Sequence, residues 1–379
     1  MTPKEYYASC NLIDNPFRPS AIGVDDPRAG IWVGYDKQQA ALERLLKRVR
    51  ADQVGLTSFV LLYGTWGTGK SHALLWSRDW VKKTSSGVAY YLPTLKRDKG
   101  KLALNLALKE DVVESGQLPE DLHNYYAWLS KKILEVTVAH PGIQPDDAIN
   151  RLFQIPDQRA LAQSIYQTGG KTEQLAAFLV KHLGSDHEAV TLFSKIVNLL
   201  ILEIGESDKE RFTQAVYLFV DELDDLSRQP AKDSLQTNDT LRHLYDACPN
   251  AFGLIIGASA ELNTLQHLFT EYVLSRMTRK IEFSFLDQNA AKTFIRDVLD
   301  LKSNRVDLGA AEKRGYFPLT EDAVAEIVSH LRQITPRDVV NTMQQVLEEM
   351  RLAEVDVGAG PMDSAVMDDN GILDFILDD

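Results

Sequence analysis

At 379 residues, with 44% hydrophobic and 25% charged side chains, the chain is long enough to bury a full α/β core and carry a second, smaller unit. No apolar run approaches the ~20 residues that cross a bilayer and MTPKEYYASC holds no secretory core, so no membrane span and a cytoplasmic location are expected. The net charge of -13 argues against a protein that coats nucleic acid, and Cys10 and Cys248, far apart and without a CxxC pattern, exclude a disulfide framework or a zinc site.

Residues 1–30, rich in Pro, Asn and Asp, read as an extended arm with one apolar anchor at Asn15-Pro16-Phe17. A helix follows a turn at Gly34, with Ala41, Leu45, Leu46 and Val49 on one face. SFVLLYG is an almost wholly apolar run, the mark of a central strand covered on both faces. The octapeptide GTWGTGKS comes next and opens the helix SHALLWSRDWVKK. It fits GxxxxGK[ST] with Gly64, Gly69, Lys70 and Ser71 in place, and Thr65, Trp66, Gly67 and Thr68 between them.

Such a turn points successive backbone N–H groups at phosphate oxygens, and the helix behind it adds its positive end. Lys70 is expected to neutralise the β- and γ-phosphates, and the Ser71 hydroxyl to ligate Mg²⁺. The expected ligand is a nucleoside triphosphate, most simply ATP with Mg²⁺. Trp66, bulky for a variable position, either covers the nucleotide or packs.

GVAYYLPTL reads as a second strand, followed by the basic run Lys96, Arg97, Lys99 and Lys101. The interval from about 96 to 212 is too long for an unstructured loop and carries helical patterns such as Leu175, Phe178, Leu179 and Leu183, so a helical insertion is expected. AVYLFVDEL is a third strand. At its tip Asp221 suits the Mg²⁺ shell, and Glu222 suits a base that orients and deprotonates the attacking water. FGLIIGAS is a fourth strand, ending at Ser259. Strands alternating with helices predict an αβα fold around a parallel sheet, spanning 31–286.

Residues 287–350 predict a small all-helical lid, with Ala290, Phe294, Ile295 and Val298 and then Val324, Ile327, Val328 and Leu331 in register. Beyond Arg351 there is no Lys or Arg and eight acids follow; taking these from the net charge leaves -5 on the preceding residues, so a local basic surface is not excluded. Residues 351–379 read as an acidic flexible tail whose final GILDFILDD, with Ile372, Leu373, Phe375, Ile376 and Leu377, suits a docking peptide or a last packed element.

With GTWGTGKS and VDELDDL placed, the chain resembles an AAA+ P-loop ATPase of the initiator-like branch, which includes the origin-recognition ATPases and the TniB, TnsC, MuB and ExeA groups. The resemblance covers about residues 15–350, and the NPF entry is similar to that of TniB and ExeA relatives. It implies that Ser259 is the polar sensor of the γ-phosphate or water. Leu274-Ser275-Arg276-Met277 with Phe283-Ser284-Phe285-Leu286 resembles the corresponding region of clamp loaders, which makes Arg276 the arginine finger of a neighbouring subunit, with Arg279 in reserve. Thr335-Pro336-Arg337 is similar to the second sensor, making Arg337 the residue that senses the γ-phosphate in its own subunit.

A ring or filament of copies follows from the same resemblance, acting as a switch that recruits or regulates a DNA-processing partner. Lys96, Arg97, Lys99 and Lys101 then stand where ring-forming relatives place pore-facing loops. Protein partners would meet the helical insertion or the acidic tail. The Trp in the turn, the large insertion and DELD also resemble KAP-type P-loop ATPases, which implies instead a signalling or anti-phage defence ATPase that gates a protein effector without touching DNA.

Overall fold

The computed structural model describes residues 1–18, 26–84, 87–206 and 208–374. The chain divides into two compact units: Met1–Gln39, Thr65–Ala73 and Phe283–Asp379 form one, and Ala40–Gly64 with Leu74–Glu282 form the other.

The second unit holds the sheet. Strands β1 (Ser58–Gly64), β2 (Val88–Leu92), β3 (Val216–Val220), β4 (Phe252–Ser259) and β5 (Arg279–Glu282) lie in the order β2-β3-β4-β1-β5, all parallel. β1 and β3 are buried at every position, as their unbroken apolar runs require of strands with both faces covered. β5 was not among the expected strands. Its RKIE carries a single buried apolar residue, Ile281, as suits an edge strand. The register pairs Gly64 with Ser259, Leu62 with Gly257 and Val220 with Ile256, so the carboxyl ends of β1, β3 and β4 share one edge. In open parallel sheets, ligands meet that edge.

The insertion expected between the second and third strands is helical. Its longest helix, Gln117–Ala139, buries Leu122, Tyr125, Leu129, Ile133 and Val136 at intervals of three and four. In the helix Asp186–Leu200, Phe193 meets Tyr90 of β2 edge-on at 5.8 Å and Phe252 of β4 at 6.4 Å. The inserted helices therefore complete the sheet's own core. Each large side chain buried there contributes about 1.5–3 kcal/mol before entropy is counted.

In the other unit the expected lid is present as the helices Gln288–Leu299, Glu321–Ser329 and Pro336–Leu352. The N-terminal arm and the tail differ from expectation. In place of an extended arm, Pro3–Ser9 is helical, started by a capping box between Thr2 and Glu5, and Tyr6, Tyr7, Leu12 and Phe17 are buried. The Asn11 side-chain amide donates to the carbonyls of Asp307 and Lys313, and that of Asn15 to the carbonyl of Gln344. In place of a flexible tail, Met362 exchanges backbone hydrogen bonds with Pro318 and Thr320, and Ser364–Asp369 is a helix capped by Asp363. Val355, Val357, Met362, Met367, Ile372 and Leu373 are all buried. Enough apolar area is spread between the acids to hold the segment down. Phe375, Ile376 and Leu377, the rest of the expected docking peptide, lie outside the described residues.

Candidate functional site

The phosphate turn lies in the first unit. Gly67 and Gly69 take φ of 83° and 96°, a region that side chains avoid. A Cβ at Gly67 would stand 3.0 Å from Thr335 Oγ1 and 3.1 Å from Arg337 Cβ, so glycine is also what lets the turn approach the start of the helix at Pro336. The Lys70 ammonium is drawn back into the turn, donating to the Thr65 carbonyl at 2.8 Å, and the Thr68 hydroxyl donates to the same oxygen at 2.8 Å. Lys70 is only 6% exposed. An ammonium kept that close to the turn's N–H groups concentrates positive potential where an oxyanion would sit.

Trp66 projects outward, 67% exposed, and the Arg337 guanidinium covers its face at 3.4 Å from the ring centroid. Whether Trp66 covers a nucleotide or packs stays open; its ring face is taken by Arg337. Thr335 caps the helix behind them by accepting from the Asp338 N–H at 3.1 Å.

Beside Gly69 lies a small cleft lined by Ile31, Trp32, Tyr35, His72, Phe294 and Pro336 among others. Tyr35 is fixed by donating its hydroxyl to the Ser284 carbonyl at 2.7 Å, and the Trp32 indole N–H donates to the Tyr35 carbonyl at 3.1 Å. His72 Nε2 lies 3.1 Å from the Ala29 carbonyl. Burial pushes the imidazole pKa down to about 4, against the opposing pull of that hydrogen bond and of Asp26.

The carboxylates lie in the second unit, at the shared edge of the sheet. Asp221, directly after β3, is 4% exposed. Its Oδ2 accepts from the Tyr91 hydroxyl at 3.0 Å, and its Oδ1 from the Glu222 N–H at 2.8 Å. Burial, and then the Asp221 charge, raise the Tyr91 pKa far above the usual phenol range, so the hydroxyl stays a donor. A Cβ on Gly257 would come within 2.7 Å of Asp221 Oδ1, so only glycine leaves room for this carboxylate. Glu222 takes a left-handed conformation, φ 51° and ψ 45°, which costs a non-glycine residue about 1–3 kcal/mol and marks functional sites when it persists. The Ser259 N–H donates to the Asp224 carboxylate, tying the end of β4 to the turn after β3.

Arg276 pairs with a different acid. It donates to Asp246 at 2.8 Å and to the Tyr272 carbonyl at 3.0 Å. Arg279 is exposed in β5. The basic run forms a hairpin, Lys96–Asp98 against Lys101–Ala103, and three of its four cations face acids: Lys96 meets Asp111 at 3.1 Å, Arg97 meets Asp225 at 2.6 Å and Lys101 meets Asp233 at 3.0 Å. Lys99 stands exposed at the tip with φ 48°.

Tyr91, Gly257 and His72 were not singled out in the sequence, and Asp224 read only as a turn residue. Tyr91 and Gly257 reach Asp221 across strand pairings that no local pattern reports. His72 carries a weak signal, since a polar ring directly after Lys70-Ser71 interrupts an otherwise apolar helix face.

Among the described residues no helix is long and apolar enough to cross a membrane, and no cluster of three or more His, Cys, Asp or Glu residues stands ready for a metal. No protein-family model matches the chain, and no curated protein matches it in sequence. Solved structures similar to it include the ORC2 protein of Aeropyrum pernix, at 12% identity and TM-score 0.48 over 96% of this chain and 71% of that one. Cdc6p of Pyrobaculum aerophilum is 12% identical with a TM-score of 0.44 over 90% and 67% of the two chains. Domain III of the Thermotoga maritima replication initiation protein DnaA is 14% identical with a TM-score of 0.42 over 92% and 94%. At such identities and TM-scores no family and no residue role passes from them to this chain.

Proposed function

We propose that the chain is a P-loop ATPase that works as a nucleotide-driven switch. The observation that carries this is the turn Gly64–Ser71, where left-handed glycines and a retained Lys70 ammonium stand at the start of a helix. Phosphates would lie on the turn's N–H groups, with Lys70 facing the β- and γ-phosphate charge. Ser71 in one unit and Asp221 in the other are the proposed metal residues, and each offers the oxygen donor that a hard cation takes. Mg²⁺, when bound, would supply neutralisation of phosphate charge.

Glu222 is the proposed base. It follows Asp221 at the carboxyl edge of the sheet, and its strained backbone is held by the bond from its N–H to Asp221. Water attacking the γ-phosphorus would pass its proton to the Glu222 carboxylate as the bond to the β,γ-bridging oxygen breaks, releasing ADP and phosphate. Ser259 would orient that water, Arg337 would sense the γ-phosphate, and Arg276 would act on the nucleotide of a neighbouring copy. ATP binding would order an assembly and hydrolysis would release it.

Lys70→Ala tests the site and Glu222→Gln the chemistry. The first should lose nucleotide binding; the second should bind ATP normally and turn over at least about 10²-fold more slowly. Near-normal affinity in Lys70→Ala would remove the turn from nucleotide binding, and unchanged turnover in Glu222→Gln would assign the base elsewhere.

For the partner, the ion pairs of Lys96, Arg97 and Lys101 favour a second reading over recruitment of a DNA-processing partner. Cations already facing acids have less charge to offer phosphates, so a protein effector gated without DNA contact accords better with this hairpin. ATP-dependent duplex binding that weakens with salt would restore the DNA reading.

A further inference from the structure

We infer that Arg97, where the helical insertion begins, is a positioning residue for hydrolysis: its ion pair with Asp225 holds the turn that presents Glu222, so the hairpin of the insertion sets the turnover rate. The inference rests on the reading of Glu222 as the base and adds what controls that residue.

Glu222 directly precedes the 3₁₀ turn Leu223–Arg228, and its left-handed φ of 51° swings the chain from β3 into that turn. Such a conformation is unfavourable for a residue with a side chain, and it persists only where the surroundings fix it. The Glu222 N–H is bonded to Asp221, and the turn beyond it is held at two successive carboxylates. Asp224 accepts from the Ser259 N–H at the end of β4. Asp225 accepts from the Arg97 guanidinium at 2.6 Å. The first tie keeps the turn against the sheet, and the second joins it to the hairpin of Lys96–Asp98 and Lys101–Ala103. Arg228 also lies 3.6 Å from Asp225, but it belongs to the same turn and cannot anchor it to another element.

The hairpin is itself fixed. Leu102, which stands opposite Arg97 in the register, is buried in the core. Lys96 meets Asp111 at 3.1 Å in the inserted segment Leu108–Glu114, and Lys101 meets Asp233 at 3.0 Å in the first turn of the helix Ala231–Ala247. Arg97 and Lys101 therefore hold the two ends of the stretch from Asp225 to Asp233, which follows Glu222 closely in the chain. Arg97 is the hold nearer the base. The pair is partly open to solvent, Arg97 at 49% and Asp225 at 28%, so its loss shifts the Glu222 conformation a few-fold and not by orders of magnitude.

The test measures ATP turnover and equilibrium ATP affinity in the full chain. Arg97→Ala and Asp225→Ala should each lower kcat by about three- to fivefold, the most that an ion pair this open returns, with ATP affinity unchanged. The two together should cost no more than either alone, because both remove one interaction. Arg97→Lys, which keeps a cation facing Asp225, should retain more turnover than Arg97→Ala. In a Glu222→Gln background Arg97→Ala should leave the residual turnover unchanged, since no base is left to position. Arg97→Gln takes the place of the alanine variant if that one does not fold. Wild-type kcat without the guanidinium, an equal loss in ATP affinity, independent losses from the two partners, or a further loss in the Glu222→Gln background would overturn the inference while the base reading stands. A wild-type chain without ATP turnover, or unchanged turnover in Glu222→Gln alone, would overturn the base reading, and this inference with it.

Discussion

The guanidinium of Arg337 lies over the face of Trp66, 3.4 Å from the ring centroid. At an exposed ring such a contact is worth about 0.5–1 kcal/mol. If Arg337 is the residue that meets the γ-phosphate, ATP must draw it away from Trp66, whereas ADP has no such demand. Trp66→Ala should therefore tighten ATP by about two- to fivefold relative to ADP, and Arg337→Ala should weaken ATP while leaving ADP unchanged. Titration of both nucleotides into both variants checks this. Unaltered ATP-to-ADP ratios would remove Arg337 from nucleotide sensing.

Tyr91 and Gly257 hold Asp221 from two sides, one by a hydrogen bond and the other by leaving space. A hydrogen bond to a charged group contributes about 1.5–3 kcal/mol, so Tyr91→Phe frees the carboxylate to turn. The expected result is a several-fold higher Mg²⁺ requirement for hydrolysis, with metal-free nucleotide affinity unchanged. Gly257→Ala places a methyl 2.7 Å from Oδ1 and 3.1 Å from Leu74 Cδ1, so the acid must move. Hydrolysis should fall at least about tenfold while the far-ultraviolet circular dichroism spectrum is kept. Wild-type Mg²⁺ dependence in both variants would mean that Asp221 does not serve the metal.

The parts of this molecule that were legible in sequence are those in which chemistry and local pattern coincide. SFVLLYG and VYLFV announce buried strands because every position is apolar, and GTWGTGKS combines its glycines, lysine and serine at fixed offsets. β5 was missed because RKIE is short and mostly charged, although Ile281 and Phe283, buried on either side of exposed Glu282, carry the alternation of an edge strand. The N-terminal helix had a readable capping box in TPKE that the surrounding Pro and Asn obscured. Tyr91 and Asp221 are 130 residues apart and meet only because β2 pairs with β3, a relation that no single-sequence pattern contains.

The tail yields to two deletions. Ile372 and Leu373 are 1% and 5% exposed, so removing residues 370–379 uncovers a packed surface. Fully buried side chains of this size are worth about 1.5–3 kcal/mol each, and the melting temperature should drop clearly. Removing only residues 375–379 tests the docking peptide on its own. If Phe375, Ile376 and Leu377 engage a partner, that shorter deletion abolishes partner binding with unchanged melting temperature and basal ATPase activity. A fall in melting temperature from the shorter deletion would assign these residues to the protein's own core.

Arg276 is engaged with Asp246 at 2.8 Å, in a pair whose side chains are 33% and 43% exposed. An ion pair that open contributes at most about 1 kcal/mol, so Asp246→Ala should barely change stability. What separates an arginine finger from a surface ion pair is therefore turnover. In related nucleotide hydrolases an arginine supplied to the transferring phosphoryl group is worth about 10³–10⁵ in rate. Arg276→Ala should bind ATP normally and lose hydrolysis, whereas Asp246→Ala should retain it. Mixing Arg276→Ala with Lys70→Ala then asks whether the arginine acts between copies, since one variant keeps an intact pocket and the other an intact finger. Partial recovery of hydrolysis in the mixture is the expected result. Inactivity in mixed oligomers shown to form would place the role of Arg276 within its own subunit or in the ion pair alone.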